Sequence, residues 1–142
     1  MTLRNVEAGD LFVFYSLLKQ GAAGQPADLP LATAGAFGPP CRFRAHMVDL
    51  GGFPGVVDGD TLCHGVRWEI RDVSILPAMD AFEDMTDDPA TSLYLRKRIA
   101  LSDDAGKTTG EMAWIYWYNR PVGGFPPVAD GNWPLDAGKS RK

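Results

Sequence analysis

One glutamate of this 142-residue chain lies on the apolar face of a predicted helix. The segment Ile75–Asp84 has the spacing of an amphipathic helix, with Pro77 tolerated in its first turn. At about 100° per residue, Glu83 falls inside the apolar stripe and Asp80 lies on its border. An inward-facing carboxyl group must be hydrogen-bonded, paired or protonated, and burial raises its pKa towards the range of a general acid or base. The alternative is that Glu83 lies in the last turn and faces water.

The predicted helix begins at a polar residue, and either Asp72 or Ser74 could cap it.

Other catalytic motifs do not occur in the sequence. His46 and His64 are the only histidines, and neither has the spacing of a zinc ligand pair. The chain contains no GxSxG elbow, no GxGxxG loop and no P-loop. We therefore expect no bound metal and no cofactor.

Arg96 is the cation that could meet an anionic substrate. It belongs to Tyr94–Arg98, the most basic run of the chain, which we predict to be an exposed strand. Arg96 could be a structural ion-pair partner or could hold a substrate carboxylate, since the guanidinium group suits bidentate binding. Nearby aromatic residues are expected in the core or in a pocket wall: Tyr94, Trp114, Tyr116 and Trp117.

The composition is that of a globular, turn-rich protein. The chain is 45% hydrophobic and 23% charged, and its 16 glycines and 11 prolines favour a strand-rich or α+β fold over a helical bundle. The formal net charge of −4 argues against a nucleic-acid partner. Without a signal-like or membrane-spanning stretch, we expect a cytoplasmic protein. Cys41 and Cys63 form no CxxC pair and are expected to be two buried thiols, and a disulfide between them is the alternative.

Alternating and continuous apolar runs predict five strand regions. Gly38-Pro39-Pro40 interrupts the second of them, and Asp103–Lys107 has the composition of a hairpin turn. We expect one domain over residues 1–135, with a loop or short helix from Ser16 to about Pro30 and a disordered tail at 136–142. The predicted strands are Asp10–Tyr15, Thr33–Leu50, Cys63–Ile70, Tyr94–Leu101 and Glu111–Tyr118.

Six short motifs follow one another in an order that resembles the γ-glutamyl cyclotransferase-like (AIG2-like) family. Their spacing is similar to that of the family over roughly residues 10–133. In chain order they are Leu11–Leu17 (family V-Y-G-[ST]-L), Asp49–Gly55 (D-L-G-x-[YF]-P-G), His64–Ile70 (G-E-[LV]-[YW]-x-[IV]), Ala78–Glu83 (LDxxE), Tyr94–Arg96 (Y-x-R) and Trp114–Asn119 (W-x-Y-x-[YF]-N).

The resemblance implies an α+β fold, a compact mixed β-barrel with a few flanking helices. It implies an enzyme that releases 5-oxoproline from a small γ-glutamyl amine or peptide without a metal. Glu83 would be the general acid/base, and the other site residues would bind substrate. Those substrate-binding residues are Phe14, Tyr15, Ser16, Leu17, Arg96 and Tyr118, with loop N–H groups supplied by residues 15–17.

The chain departs from the family pattern at two positions. Tyr15 stands where the family has glycine, a poor fit if that position needs a positive φ or close approach to a ligand. A second alignment instead places Tyr15 on the family's tyrosine and deletes the glycine. Asp84 stands where the family often has glycine. An alternative function is therefore a family member that has lost cyclotransfer and binds, or differently processes, a small anionic metabolite.

Overall fold

The computed structural model describes residues 6–15, 30–51 and 53–133, which contain five strands and two α-helices. Ser16, Leu17 and the tail at 136–142 lie outside the described residues. The helices are α1 (Leu31–Ala34) and α2 (Leu76–Phe82), and a 3₁₀ turn at Val73–Ile75 leads into α2. The strands are β1 (Leu11–Phe14), β2 (Gly35–Asp49), β3 (Pro54–Ile70), β4 (Tyr94–Ser102) and β5 (Thr108–Tyr118).

The five strands close into a barrel in the order β1-β3-β2-β4-β5. The β1–β5 pair, with Phe12 opposite Trp114, is parallel, and the other neighbours are antiparallel. Strands β2 and β4 are paired at one position, Arg42 opposite Ser102. Further along β2, the segment that follows β5 takes over, and the Val128 N–H donates to the Met47 carbonyl (2.8 Å). This architecture confirms the expected mixed barrel with few helices.

Side chains on the two faces of the sheet form two apolar clusters, which we call the inner and the outer cluster. The inner cluster fills the barrel and contains Val13, Tyr15, Phe43, Met47, Cys63 and Ile115 among others. The outer cluster lies under α1 and α2 and contains Phe12, Phe14, Trp68, Met79, Tyr94 and Tyr116 among others. Successive residues of one strand enter different clusters, since side chains alternate across a sheet.

Two strand boundaries differ from the sequence prediction. Strand β2 continues through Gly38-Pro39-Pro40, with a register shift between Phe37 and Pro40. Proline has no N–H to donate to the ladder, so it is tolerated where the regular pairing is interrupted. The Arg67 guanidinium binds the carbonyls of Pro39 and Pro40 there (3.2 and 3.0 Å). Strand β3 begins at Pro54, nine residues before the predicted Cys63, because it pairs with the end of β2.

The predicted hairpin between β4 and β5 is confirmed. The Asp103 side chain accepts from the N–H groups of Ala105 and Lys107 (3.0 and 2.9 Å), and Gly106 has a φ of 89°. That backbone conformation is one which glycine adopts without steric cost.

Burial raises the pKa of the Cys41 and Cys63 thiols to about 11, so both free cysteines are protonated near neutral pH. Within the described ranges, no helix has the length and apolar character needed to cross a membrane.

Gly35, at the start of β2, provides a test of the close packing between β2 and β3. A Cβ atom there would overlap the Glu69 carbonyl oxygen and the Trp68 indole. We expect Gly35→Ala to lower the free energy of unfolding by roughly 1–3 kcal/mol, measured by urea denaturation, as overpacking does elsewhere. Gly123→Ala is the matched control, because a Cβ atom there meets nothing within 4 Å. Equal stability of the two variants would contradict this account.

Candidate active site

Helix α2 begins close to its predicted start and ends before its predicted end. The Asp72 side chain accepts from the Ser74 N–H (3.0 Å), so Asp72 caps the 3₁₀ turn that leads into the helix. Pro77 lies in the first turn, as predicted. The helix ends at Phe82, before the predicted end at Asp84, and Glu83 is its C-cap.

Glu83 keeps its predicted angular position although it lies just past the helix. Its N–H still bonds to the Met79 carbonyl (3.1 Å), so the backbone has not yet left the helical path. Met79 is fully buried, and Glu83 is half-buried beside it. The carboxylate of Glu83 also lies within electrostatic reach of two phenols, since its charge adds to burial in raising the pKa of Tyr15 and of Tyr116.

Asp80, one turn before Glu83 on the same helix, joins α2 to the sheet. The Tyr116 hydroxyl donates to one oxygen of its carboxylate (2.8 Å). The other oxygen lies 3.5 Å from Nη2 of Arg96, which is paired with Tyr116 in the β4–β5 register. Burial raises the pKa of Asp80, while the Tyr116 hydrogen bond and the Arg96 charge act in the opposite direction.

Arg96 itself is only partly satisfied. Its Nη1 atom is buried and has no hydrogen-bond partner among the described residues. The structure thus brings Arg96 to the same patch as Glu83, with Asp80 as its ion-pair partner.

Tyr15 is fully buried at the end of β1. Its hydroxyl donates to the Tyr116 carbonyl (2.7 Å), and its ring lies against Phe43 of the inner cluster (centroids 5.9 Å apart). Burial, followed by the charges of Tyr94 and Glu83, raises its pKa. Tyr15 is not among the residues with positive φ, so a side chain is accommodated there without backbone strain.

The remaining predicted site residues divide between core and site rim. The Phe14 ring packs against Trp68 (5.4 Å) in the outer cluster, so only its backbone could serve a ligand. Tyr118 is half-buried and lies edge-on to Tyr94 (5.4 Å), whose hydroxyl donates to the Pro54 carbonyl (2.7 Å). Ser16 and Leu17 fall outside the described residues.

Sequence reasoning missed Asp80 and Tyr116 as members of this patch. Asp80 was placed on the border of the helical stripe and given no role, and Tyr116 was expected in the core or a pocket wall. Two signals could have found them: Asp80 precedes Glu83 by three residues, which places both on one helix face, and Tyr116 lies on the strand face shared by Trp114 and Tyr118.

The fold and this patch define a class: a small barrel with a half-buried glutamate at the end of a short helix, facing tyrosines of the sheet. The sequence profile described as "Gamma-glutamyl cyclotransferase, AIG2-like" matches residues 12–135. The chain therefore belongs to the AIG2-like γ-glutamyl cyclotransferase family.

Individual relatives agree with that assignment. The chain is 32% identical over 87 residues to the γ-glutamylcyclotransferase family protein ytfP of Citrobacter rodentium, covering 61% of this chain and 65% of that protein, slightly less than two thirds. The solution structure of ytfP from Escherichia coli superposes with a TM-score of 0.59 at 27% identity, covering 87% and 95% of the two chains. An AIG2-like protein of Mus musculus shares the fold (TM-score 0.64, 18% identity, 90% of each chain).

The backbone conformation of Asp84 leads to a prediction about the stability of the protein. Its φ of 55° places it in the left-handed region, and it is the one non-glycine residue with positive φ in the described part of the chain. That conformation costs a non-glycine residue roughly 1–2 kcal/mol. We expect Asp84→Gly to raise the free energy of unfolding by about 0.5–1 kcal/mol and Asp87→Gly, at an exposed position with ordinary φ, to leave it equal or lower. A destabilised Asp84→Gly would show that the aspartate side chain stabilises the turn.

Proposed function

We propose that this protein is an enzyme of the γ-glutamyl cyclotransferase type, which releases 5-oxoproline from a small γ-glutamyl amine or peptide. The observation that carries the proposal is the position of Glu83. It is half-buried, next to the fully buried Met79, and within electrostatic reach of Tyr15 at the end of β1. Family membership supports the reaction class.

The proposed reaction needs one group that moves protons. The α-nitrogen of the substrate attacks its own γ-carbonyl carbon, so a C–N bond forms and the five-membered ring closes. Glu83 takes one proton from the α-ammonium group before attack and a second from the attacking nitrogen once the new bond has formed. One of these protons goes to the nitrogen of the γ-amide as its C–N bond breaks, and the released amine takes up the other to leave as an ammonium ion. The attacking nitrogen is tethered to the carbonyl, so proximity supplies much of the rate.

The carbonyl oxygen gains negative charge during attack and requires hydrogen-bond donors. In the proposal these are backbone N–H groups of Tyr15, Ser16 and Leu17, and Tyr118 contributes to the wall of the site. The side chain of Tyr15 points into the inner cluster and its hydroxyl is occupied by the Tyr116 carbonyl. Its backbone can therefore serve the site while its ring serves the core.

The second candidate function is binding or different processing of a small anionic metabolite. The observation that favours it is the identity of residue 15, a tyrosine where the family has glycine, whose phenol lies within reach of the Glu83 charge. Purified protein assayed for 5-oxoproline release against a panel of γ-glutamyl amines and γ-glutamyl amino acids separates the two candidates. Release from any member supports the enzyme, and binding without release supports the alternative.

Glu83→Gln tests the proposed acid/base. Glutamine keeps the shape of the side chain but cannot take a proton from the ammonium group or return one. We expect 5-oxoproline release to fall roughly 10²–10⁴-fold, the usual contribution of positioned proton transfer, with little change in melting temperature.

Asp84→Asn is the matched control for that variant. It removes the neighbouring carboxylate by the same chemistry, at an exposed position whose positive φ asparagine also tolerates. Activity should persist in Asp84→Asn. If Glu83→Gln instead unfolds at lower temperature while its activity per folded molecule stays near wild type, Glu83 is a structural acid and the mechanism is wrong.

The proposed aminolysis should proceed without a metal ion. Ring closure by a tethered amine does not require a Lewis acid, and Asp80, the carboxylate nearest Glu83 along the helix face, is already paired with Tyr116 and Arg96. We expect turnover to be unchanged after exhaustive chelation with EDTA and 1,10-phenanthroline. A loss of activity that one divalent ion restores would refute this mechanism.

A further inference from the structure

A segment after β5, residues 126–133, lies along an open edge of the barrel, and we call it the strap. Strands β2 and β4 are paired at one position among the described residues, so β4 leaves most of that edge of β2 unpaired. The Asp49 N–H donates to the Pro126 carbonyl (2.9 Å), and the Val128 N–H donates to the Met47 carbonyl (2.8 Å). The strap therefore completes the barrel along the end of β2.

The strap then crosses to the far edge of β3. The His64 N–H donates to the Gly131 carbonyl (2.8 Å), just beyond the residues of β3 that pair with β1. Between these two edges lies the inner face of the β2–β3 pair. Trp133 belongs to the inner cluster and is 6% exposed, and Val128 packs against the same cluster. The strap is thus a cover over the inner cluster.

Cys63 of the inner cluster lies directly beneath Gly131. The cysteine is fully buried, and a Cβ atom added to Gly131 would lie 2.8 Å from its Cα atom and 3.0 Å from its Sγ atom. Gly131 also has a φ of 64°, a conformation that glycine adopts without steric cost. Glycine lets the strap approach the thiol this closely, and the closed strap shields the thiol from reagents in solution.

The contacts that hold the strap are few. Five of its eight residues are exposed, and Gly131 and Trp133 are the two buried ones. Three backbone hydrogen bonds join it to β2 and β3 in the described chain, whereas β2 and β3 pair with each other at thirteen positions. The free energy of a local opening rises with the number of such contacts that are lost. Opening of the strap should therefore require less free energy than unfolding of the barrel.

We propose that the strap opens as a unit while the five-stranded barrel stays folded, and that this opening exposes Cys63 and the inner cluster to solvent. Opening breaks the three hydrogen bonds and uncovers Trp133, but it leaves every pair among β1–β5 in place. The barrel thus carries a conformational device of its own, and this device is independent of Glu83 and of the proposed reaction.

Thiol labelling tests the opening, with Cys41 as the internal reference. Both thiols are fully buried and the pKa of each is raised to about 11, but the close contact with the strap is made by Cys63. Wild-type protein is treated with iodoacetamide at increasing urea concentrations below the unfolding transition, and each labelled cysteine is quantified by peptide mass spectrometry. We expect Cys63 to be labelled roughly 10²-fold faster than Cys41 without urea. Its rate should change little with urea because a local opening exposes little surface, whereas the rate at Cys41 should follow global unfolding.

Glycine variants separate strap opening from global unfolding. Gly131→Ala strains the closed strap, so labelling of Cys63 should become roughly 10–100-fold faster, in line with the cost of overpacking. Gly123→Ala, where a Cβ atom meets nothing within 4 Å, is the matched control and should leave that rate unchanged. Gly35→Ala strains a contact between β2 and β3 that persists while the strap is open. It should therefore speed labelling of Cys41 and leave the rate at Cys63 unchanged.

Hydrogen exchange tests whether the strap opens as one unit. The amides of Asp49, Val128 and His64 donate the three hydrogen bonds between the strap and the strands. We expect these amides to share one protection factor under native conditions. The Ile70 amide, which donates to the Asp10 carbonyl (3.0 Å) beside β1, should stay at least about tenfold more protected.

Three results would overturn the proposal. The first is labelling of Cys63 with the urea dependence of global unfolding, or no labelling of it before the protein unfolds. The second is an unchanged rate at Cys63 in a folded Gly131→Ala variant, since the opening would then lie elsewhere. The third is unequal protection of the Val128 and His64 amides, which would show fraying of the strap in place of a concerted opening.

Discussion

The hydrogen bond from the Tyr116 hydroxyl to Asp80 is the contact on which the geometry of the site depends. Helix α2 has seven residues, too few to be stable by itself in water. Met79 is its one fully buried side chain among the described residues, and Leu76 and Phe82 pack against the same cluster while staying partly exposed. The bond at 2.8 Å adds a directional contact to this apolar packing and so restricts the rotation of the helix. Glu83, three residues later, is oriented by the same contact.

The chain beyond Glu83 is held by a second set of polar contacts. Asp84 turns the backbone in the left-handed conformation, and its carbonyl accepts from the Leu93 N–H (2.9 Å), directly before β4. Ser92 is fully buried, and its hydroxyl accepts from the Thr86 N–H (2.8 Å). The Asn119 amide, at the end of β5, donates to the carbonyl of Ser92 (3.0 Å). Glu83 thus lies between two anchored residues, Asp80 on α2 and Asp84 in the following turn, and these anchors limit how far its backbone can move.

Local sequence patterns predicted the parts of this fold whose causes are local. A continuous apolar run indicated β1, and strand-like segments indicated β4 and β5, each to within a few residues. The turn composition of Asp103–Lys107 indicated the hairpin between β4 and β5. The failures have non-local causes. Residues 54–62 were not predicted as strand because pairing with the far end of β2 provides their hydrogen bonds, and β2 continues past Pro39 because a register shift absorbs the missing donor.

The candidate site divides in the same way. The helical period alone placed Glu83 on the apolar face, and the structure puts it beside the buried Met79. The pairing of Asp80 with Tyr116 joins residues 36 positions apart and could not be read from either local pattern. Its residue type left two roles open for Arg96, and the resemblance to the family implied that it binds substrate. The structure adds that its ion pair with Asp80 is long and leaves Nη1 without a partner in the described residues.

The tyrosine at position 15, in the segment that departs from the family pattern, has a structural role in this chain. Its hydroxyl bonds to the Tyr116 carbonyl and ties the end of β1 to β5, where the parallel pair closes the barrel. Burial raises the pKa of both Tyr15 and Tyr116, so both phenols stay neutral and act as donors. Each donates to an acceptor of fixed position, the first to backbone and the second to Asp80. The two hydrogen bonds join the end of β1 to β5 and β5 to α2, the helix that ends beside Glu83.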